Sequence, residues 1–330
     1  MRTTPTLLVV VDTEEEFDWF APFDRKNVAV DHMRDVGLFQ SICDDAKLRP
    51  LYAVDFPVAT QEAGARPLRE IHESGRCEIG AHLHPWVTPP LDEEVNARNS
   101  YPGNLPRELE RRKIATLLEA IEGSLGVRAR SYKSGRYGFG PNTAATLLEL
   151  GFEVDLSPLP AFDLSADGGP DWSRAPIEPR EIRPGLLAIP ATSAFTGFLR
   201  GAAPGLHRLA SAPPFSWAGA PAILSRTGAL ERLMLSPEGF DHAHHRRLTR
   251  SLLDRGVDVF CFTLHSPSLK PGCTPYVKSL AERDQFLDTC RRYFEFFMGE
   301  IGGVGMTPLE LARSLRTTRS SSPSAVSPRA

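Results

Sequence analysis

Short apolar runs alternate with amphipathic stretches along most of the chain. The run "TLLVVVD" (6–12) has the unbroken Leu/Val character of a strand buried on both faces. "VGLFQSICDDAK" (36–47) returns to apolar residues at helical spacing. "RPLYAVDFP" (49–57) predicts a second strand, and "RPLREIHESG" (66–75) a helix closed by Gly75. "CEIGAHLH" (77–84) predicts a third strand. The longest predicted helix, "LPRELERRKIATLLEAIEGSLG" (105–126), repeats Leu109, Lys113, Leu117 and Ile121 at four-residue steps. A strand at 129–135 follows, then a helix at 141–151 framed by Pro141 and Gly151, and strands at 152–157 and 186–192. A helix at 241–256, a strand at 257–265 and a helix near 279–299 complete the pattern.

Repeated strand-then-helix units imply parallel strands joined by right-handed crossovers. About seven such units on a chain of 330 residues predict an α/β fold, a distorted (β/α) barrel, closed or incomplete, of about seven parallel strands. Residues 1–312 are expected to form one catalytic domain. Pro, Gly and Ala break the rhythm at about 158–185 and 197–237, where loop or lid insertions are expected. The Ser/Pro-rich stretch 313–330 has the composition of a disordered tail.

Composition narrows the function. Hydrophobic residues make up 41% and charged residues 24%, ordinary for a soluble globular protein. A net charge of −3 gives no reason to expect a nucleic-acid partner. No apolar stretch approaches the ~18–20 residues that span a bilayer. Acidic residues follow the N-terminal apolar run at once, with no small-residue cleavage site, so a cytoplasmic location is expected. Five cysteines, odd in number and without a CxxC pair, predict reduced thiols.

Polar residues collect where predicted strands end. Asp12 and Glu14 lie just past the first strand, His82 and His84 past the third, Lys133 and Arg136 past the fourth, and His265 past the last. In an α/β barrel these ends form one rim, so residues distant in sequence converge there. Residues i and i+2 of an extended segment face the same side, so His82 and His84 can reach one common atom. Two imidazoles and one carboxylate, with a position left for water, describe a catalytic zinc-type site. Asp12 and Glu14 share the i, i+2 relation, so one could hold the metal while the other works on its water. An isolated histidine pair is as readily explained by hydrogen bonding near a turn; a rim that also carries carboxylates and His265 favours the metal.

Other residues carry less. His242, His244 and His245 form a cluster, but Arg246, Arg247 and Arg250 beside them would repel a cation, which leaves a solvated helix face. "GRYGFG" has neither nucleotide-binding spacing. Trp86, Trp172 and Trp217 fall in predicted loops, where a ring could stack on a sugar.

The motifs "VVVDTEEEF", "EIGAHLHPW", "YKSGRYGFGPNT" and "FTLHSPSL", in this order and spacing, resemble the polysaccharide deacetylase (NodB-homology) family of metal-dependent carbohydrate esterases, in particular its WalW-like branch. The similarity runs from about residue 6 to residue 298. It implies hydrolysis of an N-acetyl group on a sugar, with a divalent ion, zinc or another, held by one carboxylate and two histidines. Carried over, Asp12 is the general base, Glu14, His82 and His84 are the ligands, and Leu264 with His265 forms the last motif, His265 being the general acid. Lys133 stands where the family has an arginine that braces the base, with Arg136 close by as a substitute. A backbone N–H near Tyr137 would meet the oxyanion. In the family the two ligand histidines are four residues apart; here position 86 is Trp86 and the second candidate is His84. The first motif is offset by one residue, which leaves an exchange of roles between Asp12 and Glu14 open. The expected function is removal of an N-acetyl group from an amino-sugar-containing saccharide or precursor. The alternatives are deacylation of a non-carbohydrate amide, or a sugar-binding relative without catalysis.

Overall fold

A computed structural model of the chain describes residues 4–211, 213 and 220–321. The strands are β1 (Thr6–Thr13), β2 (Leu51–Val54), β3 (Glu78–Leu83), β4 (Ser131–Ser134), β5 (Val154–Asp155), β6 (Arg180–Arg183), β7 (Leu186–Ala188), β8 (Ser193–Thr196), β9 (Glu231–Met234), β10 (Val259–His265) and β11 (Val304–Gly305). Seven of them lie side by side in the order β10-β1-β2-β3-β4-β5-β7, and every neighbouring pair in that series is parallel. β6 is added antiparallel to β7, and β11 pairs with the start of β1. This is the expected curled sheet of about seven parallel strands.

The barrel is incomplete between β7 and β10. There Thr192 N–H donates to the Cys261 carbonyl at 3.2 Å and Thr263 N–H to the Leu235 carbonyl at 2.9 Å. Thr192 and Leu235 flank a separate antiparallel ribbon, β8–β9, while Cys261 and Thr263 belong to β10. The stretch expected as an insertion at 197–237 thus carries β9 and two helices, Ala203–Ser211 and Ala220–Arg226. Trp217 lies outside the described residues.

β1 is buried at all eight positions, as its β-branched run requires of a central parallel strand. The helix Arg107–Leu125 buries Ile114, Leu117, Leu118, Ile121 and Leu125 and ends at Gly126, whose φ of 68° suits the left-handed cap. Lys113 shares that buried face. Its ammonium donates to the Pro85 carbonyl at 2.9 Å and the Thr88 carbonyl at 2.7 Å, and it pairs with Glu93. It therefore ties down the chain that leaves β3 just past His84.

Two expectations need correction. The helix Pro308–Ser321 continues beyond 312, because Leu311 and Leu315 pack on the strands at one-turn spacing; residues 322–330 lie outside the described residues. The helix His242–Leu253 is not a solvated face throughout. His244 and Asp241 form its capping box, whereas His245 is buried and hydrogen-bonds the Ser236 carbonyl at 2.8 Å.

Candidate metal and catalytic centre

Strand register brings the polar residues together. Asp12 on β1 lies opposite His265 on β10, and His82 on β3 opposite Lys133 on β4. The Lys133 ammonium donates to Asp12 Oδ2, and His265 Nε2 stands 3.5 Å from the same oxygen. Asp12 Oδ1 is buried with no hydrogen-bond partner. Burial pushes the Asp12 pKa upward, but nearby positive charge, Lys133 foremost, outweighs it and holds the carboxyl at about 2.

Glu14, His82 and His84 form a second group beside this one. Glu14 Oε2 lies 3.3 Å from His82 Nε2 and 3.4 Å from His84 Nε2, and the two Nε2 atoms are 3.1 Å apart. The tautomers follow from the other ring nitrogens. His82 Nδ1 faces the Lys133 carbonyl at 3.1 Å, and a carbonyl only accepts, so Nδ1 carries the hydrogen and Nε2 a lone pair. His84 Nδ1 meets Glu15 Oε2 at 2.8 Å and donates to it when Glu15 is ionised. In that state a neutral His82 and His84 turn two lone pairs toward the Glu14 carboxylate in a buried space, where one cation between them would satisfy all three; with Glu15 protonated, His84 Nε2 carries the hydrogen and donates instead. Of the buried carboxyls here, Asp12 pairs with Lys133 and Glu238 with His265, which leaves Glu14 facing only the two imidazoles, its Oε1 without a partner. The donor set therefore fits a divalent ion: neutral imidazoles oriented by second partners, plus one carboxylate.

The supports were not foreseen from the sequence. Glu15 accepts from Trp86 Nε1 at 2.8 Å as well as facing His84, and its backbone N–H donates to Asp55 at 2.7 Å. Burial pushes Glu15 up to about 8, opposed by a hydrogen bond with Asp55 and helped by the Glu14 charge; burial, helped by Glu15, pushes Asp55 well above the usual carboxylate range. Glu238 sits 2.7 Å from His265 Nδ1. Burial alone would lower His265; Glu238, then Glu14 and Asp12, raise it to about 10. Trp19 packs edge-on against His265, ring centroids 4.9 Å apart. His32, buried under the site, contacts Ser266 Oγ at 2.8 Å, the hydroxyl that receives the Glu14 N–H.

Gly135 explains why the β4 turn tolerates the His84 ring: a Cβ there would lie 2.5 Å from His84 Cδ2. The next two residues, Arg136 and Tyr137, have φ of 54° and 58°, left-handed backbone that costs on the order of 1–3 kcal/mol each and is kept at functional turns. This turn carries both side chains into a cavity of about 510 Å³ that also exposes Asp12, Glu14, His82, His84 and His265. Both interrupted stretches contribute to its wall, Phe162 and Asp167 from one, Arg232 and Met234 from the other.

Three predicted site residues are not in that wall: Lys133, which is buried and bonded to Asp12, Trp86 and Leu264. Trp86 is 1% exposed and stacks on His84 at 4.2 Å, so it offers no ring face to a sugar and serves as packing behind a ligand. Leu264 belongs to the hydrophobic core. Trp172 donates to the Tyr137 carbonyl at 3.0 Å and lines a different cavity.

No protein-family model and no curated protein matches the chain. Solved structures do. Two of them, both described as putative, are a polysaccharide deacetylase from Mycobacterium smegmatis (TM-score 0.55, 17% identity, 100% of this chain and 99% of that one) and a glycoside hydrolase/deacetylase from Parabacteroides distasonis (0.61, 11%, 96% and 72%). The chain has the polysaccharide deacetylase fold. PuuE allantoinase shares it (TM-score 0.57, 14% identity, 96% of this chain and 92% of that one). The deacetylase fold thus accounts for the curled seven-stranded sheet; a shared fold does not fix the chemistry, which lies in the residues of the centre.

Proposed function

We propose that this protein is a metal-dependent hydrolase that removes an N-acetyl group from an amino-sugar-containing saccharide or precursor. The observation that carries the reading is the convergence of Glu14 Oε2 with two imidazole lone pairs, directly beside the Asp12–His265 pair. Glu14, His82 and His84 would hold the ion, zinc being the divalent metal these ligand types suit best. A bound divalent ion supplies Lewis acidity, polarising the amide oxygen and lowering the pKa of its water toward ~7.

The chain's own residues do the rest. Asp12 is ionised throughout the neutral range, and its unpartnered Oδ1 is the acceptor for a proton of the attacking water. So stabilised a carboxylate takes that proton only as the new C–O bond forms and the water becomes acidic. Lys133 keeps Asp12 charged and aimed, as one point charge rather than a guanidinium fork. His265, an imidazolium at neutral pH, gives its proton to the nitrogen as the C–N bond breaks, releasing acetate and the amine. Its Nε2, 3.5 Å from Asp12 Oδ2, can then recover the proton Asp12 took. The Tyr137 N–H is the proposed backbone donor to the oxyanion.

A second reading is deacylation of a non-carbohydrate amide. The aromatic wall built by Phe17, Trp19, Phe23 and Phe162 favours it, as does an allantoinase on the same fold. The proposed compartment is the cytoplasm, supported by five unpaired cysteines, four of them buried. Among the described residues no helix is long and apolar enough to cross a membrane. Acetate release by zinc-loaded protein from N-acetylated chitooligosaccharides, abolished by a chelator and restored by zinc, tests the reading. Release from small acetamides but from no sugar would favour the second.

A further inference from the structure

Two arginines line the catalytic cavity, and their surroundings differ. Arg136 is provided for: it donates to Ser100 Oγ at 2.7 Å, covers the Tyr101 ring at 4.1 Å and stands 3.4 Å from Asp167. Arg232, on β9, is part-buried and has no acidic partner among the described residues. Its guanidinium lies 3.8 Å over the Phe162 ring and makes one long hydrogen bond, 3.4 Å, to the Ala161 carbonyl. Burial is the one influence on its pKa, which it lowers; no carboxylate pulls it back. An arginine does not relieve this by losing its proton, so a planar fork of donors stays charged and under-used in the cavity wall.

Arg232 also lines an adjoining cavity of about 300 Å³ with Arg174 and His207. His207 is pushed toward its neutral form by burial and by the Arg232 charge, a further sign of positive potential there. Asp163 shares that lining, but it accepts from the Ser165 N–H and hydroxyl at 3.0 and 2.6 Å and forms no ion pair with Arg232 among the described residues.

We propose that Arg232 receives an anionic group of the substrate, a phosphate or a carboxylate, so that the amide cleaved at the centre belongs to a negatively charged amino-sugar compound. This deepens the deacylation reading above and rests on it for the position of the amide. The ring of Phe162 would hold the guanidinium plane in place while its edge meets two oxygens of the anion. A lysine could supply charge there but not the paired donors.

Wild type, R232Q and R232K decide the matter with three probes: N-acetylglucosamine 1-phosphate, N-acetylglucosamine joined to glucuronate, and neutral N,N′-diacetylchitobiose. Binding is measured by calorimetry and acetate release separately. Wild type is expected to bind one anionic probe about tenfold or more tightly than the neutral one, and which probe it is separates phosphate from carboxylate. R232Q should erase that preference, and R232K, the fallback should the glutamine variant fail to fold, should keep only part of it. Equal binding of all three probes by wild type overturns the proposal. So does failure of both anionic probes to bind, or a preference that the variants leave intact. Arginine-dependent binding without acetate release would sink the deacylation reading and keep the anion site. Release from every probe without preference would do the reverse.

Discussion

Replacing Glu238 by glutamine should move the alkaline limit of turnover. Glu238 accepts from the His265 backbone N–H at 3.0 Å and from Ser268 Oγ at 2.7 Å, while its other oxygen lies 2.7 Å from His265 Nδ1. Glutamine keeps the shape and removes the charge. Burial lowers the His265 pKa, but Glu238 is the strongest influence raising it, from 6.5 to about 10. One-fifth of the His265 side chain is exposed, so water screens the pair and the full rise is an upper bound. Assigning roughly two pKa units to Glu238, about 2.7 kcal/mol of preference for the imidazolium, leaves E238Q with a His265 near pH 8. At pH 9 the protonated fraction would then fall from roughly nine-tenths to roughly one-tenth. The ratio of variant to wild-type kcat/KM should therefore be flat from pH 6 to 7 and drop about tenfold by pH 9. The imidazole Cε1–H resonance of His265, followed by NMR, reads the same shift without substrate. A His265 that titrates below pH 7 in wild type, or at the same pH in both proteins, refutes the assignment of this ring as the proton donor.

Three further outcomes follow from other parts of the site and core. Asp12→Asn should cut turnover by about 10²–10⁴-fold with metal content unchanged; loss of metal instead would make Asp12 a ligand and Glu14 the base. Lys133→Met strands a buried carboxylate and should cost about 3–5 kcal/mol in urea melts. The double variant with Asp12→Asn should recover most of this, and no recovery would show that the two residues are not coupled. His245 is neutral in the fold, its pKa pushed by burial from 6.5 down to about 4, so the unfolded chain binds the extra proton between those values. Stability should therefore fall as pH drops from about 6.5 toward 4, by up to about 3 kcal/mol, and H245Q should lack this component. An identical acid slope in both proteins rules His245 out as its source.

What the sequence made legible was whatever periodicity or strand ends encode. β1, β3 and β10 could be read from their apolar runs, and the i, i+2 pairs at their ends placed Asp12, Glu14, His82 and His84 on one rim. The alternation rule stops where the strand stops, and there it missed Glu15: in "DTEEEF" it reads as a solvated acid, yet it turns inward to hold His84. Three consecutive acids ending a fully buried strand were the available signal, since they cannot all be solvated. Glu238 left no such trace, because it lies between β9 and the next helix, and only the curl of the sheet brings it to His265. Trp86 misled because a loop position suggested exposure, whereas Lys113 pulls that loop inward onto the long helix. The offset between His82 and His84 looked like a defect in the motif; the structure brings both Nε2 atoms to one place at two-residue spacing.

The proposed chemistry rests on the binding of one divalent ion by Glu14, His82 and His84. Its most direct test is the zinc K-edge X-ray absorption spectrum of protein loaded with one equivalent of zinc, compared with H84A. Nitrogen and oxygen scatterers at ~2.0–2.2 Å with the outer-shell pattern of two imidazoles in wild type, reduced to one in H84A, is the predicted result. Sulfur in the shell, fewer than two imidazoles in wild type, or a spectrum unchanged in H84A would contradict it.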